Sequence, residues 1–194
     1  MLKWVFTLGI WGVVIVMVTT AYFAYDLPST DKALEVSRRP LVTLLARDGS
    51  KISELGNLQG MTVQINALPS HLPHAVIATE DRRFYNHFGI DIIGVIRAFL
   101  SNVKAGKIVQ GGSTISQQAA KNLFLTPART FKRKYQELLL AFWLEQKFTK
   151  DQILSIYLNR VYLGSGVYGV DAASKKYFGI PARKLSVFQS AIIA

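Results

Sequence analysis

Hydrophobic and polar positions are unevenly arranged along the chain. From Trp4 to Ala24 there is no charged residue, and a helix of that length spans about 31 Å, close to the thickness of a bilayer core. Trp4 stands at one end and Tyr22 and Tyr25 at the other, where membrane-interface aromatics belong. A cleaved signal peptide is the alternative, but the run exceeds its usual apolar core of about 7–15 residues. A polar stretch over 26–40 reads as a linker. Leu41–Ala46 then predicts a strand and Asp48-Gly49 a turn, with Lys51–Leu55 and Met61–Ile65 as strands that pair with it.

After Pro69 the period changes to that of helices. Pro73–Asp81 is the first. In Asp91–Ala105 the apolar residues Ile92, Ile93, Val95, Ile96, Phe99, Leu100 and Val103 recur at helical spacing. A glycine-containing loop over 104–112 follows. Thr114 with Gln117 forms a capping-box pattern for a helix reaching about Leu123, and Thr149 with Gln152 forms another for a helix through Asn159. Between them, Thr130–Phe148 carries Leu138–Leu144, apolar on all sides, which predicts the central buried helix. Gly164, Gly166 and Gly169 mark a loop before helices near Val170–Phe178 and Ser186–Ala194. The last of these is apolar to its final residue, which predicts a domain continuing beyond Ala194 and packing of Val187–Ala194 against Leu138–Leu144. The fold class expected is mainly α, with a small N-terminal β element and one transmembrane helix in front.

Charge adds a partner class. The chain holds 23 basic and 12 acidic residues, a net +11, which fits an anionic membrane surface, a phosphate-bearing substrate or nucleic acid. No nucleic-acid-binding motif is present, and the anchor argues against that partner. The absence of cysteine excludes disulfides, thiolate metal sites and a cysteine nucleophile. The short N-terminal flank with Lys3 predicts the N-terminus inside and the rest outside.

Residues able to do chemistry fall in clusters. Glu80 and Asp81 are adjacent carboxylates beside Phe84 and His87; desolvation and like charge can make such a pair a general base or acid. A solvated helix end is the bland alternative, and His87 alone reads as a structural hydrogen-bonder. In G-G-S-T-I-S-Q-Q (111–118), glycines and hydroxyls open a helix whose N–H groups can hold an anion; a plain helix cap is the alternative. Arg129, Lys132, Arg133 and Lys134 lead into the central helix, where cations oppose the macrodipole. That local cost points to an anionic partner such as a pyrophosphate. Glu137 lies one turn on, on the face of Arg133 and Lys134, which also allows a salt-bridged surface turn.

Together these segments resemble a known family. E-D-R-R-F-Y-N-H-F-G, G-G-S-T-I-S-Q-Q, R-K-Y-Q-E, K-D-Q-I-L-S-I-Y-L-N and G-V-Y-G-V-D-A-A-S-K-K-Y-F are similar, in order, to the motifs of glycosyltransferase family 51, the peptidoglycan glycosyltransferases. Ser116 stands where threonine is common, and Ser165 interrupts a usually glycine-rich loop. The resemblance implies a lysozyme-like domain over 41–194, truncated at its C-terminus, behind a membrane anchor over 1–25. It implies polymerisation of lipid II into a growing glycan strand, with inversion and release of undecaprenyl pyrophosphate. Glu80 would be the general base. Lys121, Arg129, Arg133 and Lys134 would stabilise the pyrophosphate. Glu137 would organise those cations or hold a divalent ion (Mg or Mn) there; no organic cofactor is implied. Asp81, Phe84, His87, Ser113, Thr114, Gln117 and Gln118 would shape the cleft. The expected setting is the bacterial plasma membrane, with the catalytic domain outside the cytoplasm and other cell-wall synthesis proteins nearby. A wall-cleaving hydrolase and a non-catalytic scaffold are the rival readings; the first gives the cation cluster no task, and the second predicts that Glu80 and Glu137 are dispensable.

Overall fold

A computed structural model describes residues 2–27, 42–55, 58–126, 128 and 130–194. Arg129 and most of the proposed linker fall outside these residues. The described chain is mostly helical. Helix α1 (Leu2–Ala24) precedes a hairpin of β1 (Val42–Leu45) and β2 (Lys51–Leu55), antiparallel around the Asp48-Gly49 turn. Ser50 closes that turn by donating to Asp48 from both its backbone and its hydroxyl, at 2.9 and 2.7 Å.

Met61–Ile65 is extended but is not a strand. Its alternate N–H groups donate to helix side chains instead: Met61 to Asp171, Val63 to Asn159 and Ile65 to Ser155. Polar side chains thus take the place of a partner strand, which the alternating pattern alone does not reveal. The pairing in this region is between β3 (Leu58–Gln59) and β4 (Val167–Tyr168), in parallel.

The helical body comprises α2 (His71–Glu80), α3 (Ile92–Ala105), α4 (Ile115–Phe124), α5 (Phe131–Lys147), α6 (Lys150–Arg160), α7 (Val170–Phe178) and α8 (Val187–Ile193). Pro73 sits in the first turn of α2, where its missing N–H costs nothing. Thr130 caps α5 by accepting from Arg133 N. Thr149/Gln152 and Ser186/Gln189 form full capping boxes on α6 and α8. Helix α4 packs between α5 and α6, and the core it closes includes Leu72, Phe84, Ile115, Leu140, Leu144, Ile153 and Leu158.

Two further expectations change, and one helix turns an unexpected face outward. Only Leu140, Ala141 and Leu144 of the Leu138–Leu144 run are fully buried, with the remainder half-buried. Helix α8 packs on α2 and α7 rather than on α5, because the capped turn before it brings it back to the start of the helical body. Helix α3 is a helix as its spacing predicts, yet its apolar face is the outer one. Ile92, Ile96, Phe99, Leu100 and Val103 are exposed, while Asp91, Gly94, Arg97 and Ser101 face a cavity.

The apolar α1 is also exposed along its length; within it, Phe6–Ala24 is long and apolar enough to cross a membrane. Its end docks on the start of α5. Thr20 and Tyr135 share a hydroxyl hydrogen bond of 2.7 Å, Phe23 packs on the Tyr135 ring, and Lys132 pairs with Asp26. Gln136 Nε2 donates to the carbonyls of Phe23 and Asp26 at 3.3 and 3.2 Å, supplying donors that a helix C-terminus lacks.

Gly169 precedes α7 with φ 82 and ψ 151, and a Cβ there would lie 2.7 Å from the carbonyl oxygen of Asn159. That backbone region is essentially glycine's own. Gly169→Ala is expected to cost about 2 kcal/mol or more of stability, read as a lower thermal midpoint; an unchanged midpoint would contradict this packing.

Candidate active site

The site is built around the first turn of α4. Asp81, at the end of α2, is buried and accepts from the backbone N–H of Ile115 at 3.0 Å and from His87 Nε2 at 3.1 and 3.0 Å. A carboxylate facing a helix N-terminus is favourably placed, and here it fixes the turn after Glu80 against α4. His87 Nδ1 is buried with no hydrogen-bond partner among the described residues. Thr114 caps α4 by accepting from Gln117 N and donates its own hydroxyl to the Gly89 carbonyl at 2.8 Å. The capping box is only half formed, because the Gln117 side chain is committed elsewhere.

Gln117 and Gln118 are adjacent and serve opposite partners. The Gln118 amide donates to Glu80 Oε2 at 2.7 Å. The Gln117 carbonyl accepts from Lys134 Nζ at 3.2 Å, and its amide reaches Gly89 O at 3.4 Å. Lys134 also donates to Ser113 Oγ at 2.7 Å and to Glu137 Oε2 at 3.0 Å. Arg133 pairs with the other Glu137 oxygen, and its buried Nε has no partner among the described residues. One helix start therefore holds a carboxylate on one side and a cation group on the other.

Of the two adjacent carboxylates, Glu80 is exposed and only Asp81 is desolvated. Glu80 borders a cavity of about 450 Å³ shared with Asp81, Arg82, Asp91, Arg97, Ser113 and Thr114. Ser113 therefore belongs both to the cavity and to the Lys134 network. Phe84 is fully buried and supports the site from behind rather than lining it. Lys132 leaves the cation cluster for the anchor. Lys121 lies close enough to Lys134 to repel it.

Burial first, then the charges of Arg133 and Lys121, hold the Lys134 ammonium below the usual lysine pKa. Burial, and then the Glu80 charge, push the Tyr157 phenol up. That places Tyr157 beside the site, a residue the motif K-D-Q-I-L-S-I-Y-L-N contained without flagging. Glu137, with its side chain 5% exposed, gives both oxygens to Arg133 and Lys134, so it does not fit the metal-ligand role. No group of three or more His, Asp or Glu is placed for a metal among the described residues.

A carboxylate and a cluster of cations are thus set around one helix start, groups able to take up a proton and to stabilise an anion. Comparison with known proteins gives the chain its family. Residues 48–194 match the family described as Transglycosylase, and the chain belongs to it; the segment is a glycosyltransferase domain. The chain is 49% identical over 146 residues to penicillin-binding protein 1A of Aquifex aeolicus, covering 75% of this chain and 20% of that protein. It is 40% identical over 173 residues to the protein of the same name from Pseudomonas aeruginosa, covering 89% and 21%. With that of Neisseria meningitidis it shares 39% over 190 residues, covering 98% and 24%. The chain thus spans about a fifth to a quarter of the length of these curated relatives.

Lys134 should titrate below the usual lysine range, losing its charge earlier as pH rises. Lys121→Gln removes one repelling charge and should move that titration upward. The ¹³Cε shift of labelled lysine reads both; an unmoved Lys134 titration in the variant would contradict the placement of Lys121.

Proposed function

We propose that this chain polymerises lipid II, the disaccharide precursor of peptidoglycan linked through pyrophosphate to undecaprenol. What carries the reading is the pair Gln117 and Gln118, which ties a carboxylate and an ammonium to one helical turn. The acceptor sugar's 4-hydroxyl gives its proton to Glu80. Its oxygen attacks the donor's anomeric carbon from the face opposite the pyrophosphate, and the bond to the pyrophosphate oxygen breaks with inversion. The electron pair leaves on undecaprenyl pyrophosphate. Lys121, Arg133 and Lys134, with Arg129, stabilise that charge, and such preorganised stabilisation is usually the largest catalytic contribution.

No second carboxylate is needed as an acid, because pyrophosphate leaves without protonation, unlike the sugar oxygen in glycoside hydrolysis. Glu137 holds the two cations in place. The remaining polar residues, Asp81, His87, Ser113, Thr114, Gln117 and Gln118, keep the cleft in shape.

A lipid-linked substrate is met only at a bilayer. Helix α1 spans the plasma membrane with its N-terminus in the cytoplasm, and the lysozyme-like catalytic domain works on the outer surface among other wall-synthesis proteins. The outward apolar face of α3 rests in the same lipid, which accounts for a helix whose polar side faces the protein.

Glu80→Gln tests the base. In the full chain with lipid II, turnover should fall about 10²–10⁴-fold while lipid II binding persists. Near-normal turnover would overturn the assignment.

A further inference from the structure

Behind the site lies an ion pair that the reaction does not use, its carboxylate buried and its ammonium partly exposed. Glu145, on α5, has a side chain only 3% exposed, and Lys150, in the first turn of α6, donates to its Oε1 at 2.7 Å. The hydroxyl of Ser116, in the first turn of α4 and fully buried, donates to the same oxygen. One oxygen atom thus joins three helices. The Lys150 ammonium also stands 4.5 Å from the centre of the Phe84 ring, a cation–π contact with the turn that follows Glu80. A Cβ on Gly89 would touch Glu145 Cγ at 3.5 Å, so the carboxylate backs the very residue whose carbonyl receives Thr114 and Gln117.

We propose that Glu145, Lys150 and Ser116 form a rear clamp that positions the first turn of α4 against the turn carrying Glu80, and so sets the Gln118–Glu80 and Gln117–Lys134 contacts. The activity readout rests on the glycan-transfer reading above. Ser116 lies between Thr114 and the two glutamines, so a shift at its side chain moves both contacts. A partly buried ion pair adds little stability over apolar residues of similar size, whereas a displacement on the order of 1 Å can cost about a hundredfold in rate. Placement is therefore the pair's contribution. These are positioning residues, and none of them touches substrate.

The test uses the full chain in detergent with lipid II. The double variant Glu145→Met/Lys150→Met replaces the pair with apolar side chains and leaves the Ser116 hydroxyl without its acceptor. It should melt near the parent temperature while kcat falls about ten- to a hundredfold with KM little changed. Lys150→Arg, which keeps the pair, should retain most of kcat. Parent kcat in the well-folded double variant, or losses that follow only the folded fraction, would overturn the clamp. Should the double variant not fold, Ser116→Ala decides: the same fall in kcat at an unchanged melting temperature supports the clamp, and parent kcat overturns it. A readout independent of activity is the side-chain amide ¹⁵N resonance of Gln118. It should shift in Ser116→Ala, and an unmoved resonance overturns the clamp even if lipid II proves not to be the substrate.

Discussion

The buried carboxylate of Asp81 is the constraint on which the site depends. It lies at the junction of α2 and α4 and accepts from Ile115 N and His87. A buried charge is tolerated only when its hydrogen-bonding capacity is met, so the turn after α2 and the start of α4 must come together. Glu80 is then delivered to the cleft edge as the residue before Asp81, within reach of Gln118. The cation group is added by α5, whose Lys134 reaches the same first turn of α4. Glu80 and Lys134 are thus placed by backbone that one buried side chain fixes.

Much of this was legible in the sequence because the signals are local. Thr130, Thr149 and the glycines of 164–169 announce helix ends through cap and turn chemistry that needs only near neighbours. Glu137 was readable on the face of Arg133 and Lys134 from helical spacing alone. What was not legible depends on distant contacts. The extended 61–65 segment has strand-like alternation, but its partners are Asp171, Asn159 and Ser155, some 90–110 positions away. Helix α3 shows a helical period, and a period does not say which face is inside. Two adjacent carboxylates look equivalent in sequence, and only the fold shows that Asp81 is desolvated while Glu80 remains in the cleft. Glu145 and Lys150 carry no local signal that sets them apart, and only the packing of α4, α5 and α6 brings them together with Ser116.

Helix α5 links the membrane-length helix to the chemistry. Its first two turns give Lys132, Tyr135 and Gln136 to the end of α1 and the residues just after it, while Arg133, Lys134 and Glu137 turn toward α4. Cations at a helix start are locally unfavourable. Here Lys132 pairs with Asp26 and Arg133 and Lys134 pair with Glu137, so the local cost is offset by two separate partnerships.

The proposed reaction is inverting transfer from a pyrophosphate-linked donor to a sugar hydroxyl. Incubating the full chain with lipid II and following both products together tests it. One undecaprenyl pyrophosphate should be released for each new glycosidic bond, with the anomeric configuration of the donor inverted in the polymer. Retained configuration, or release of free disaccharide without polymer, would contradict it.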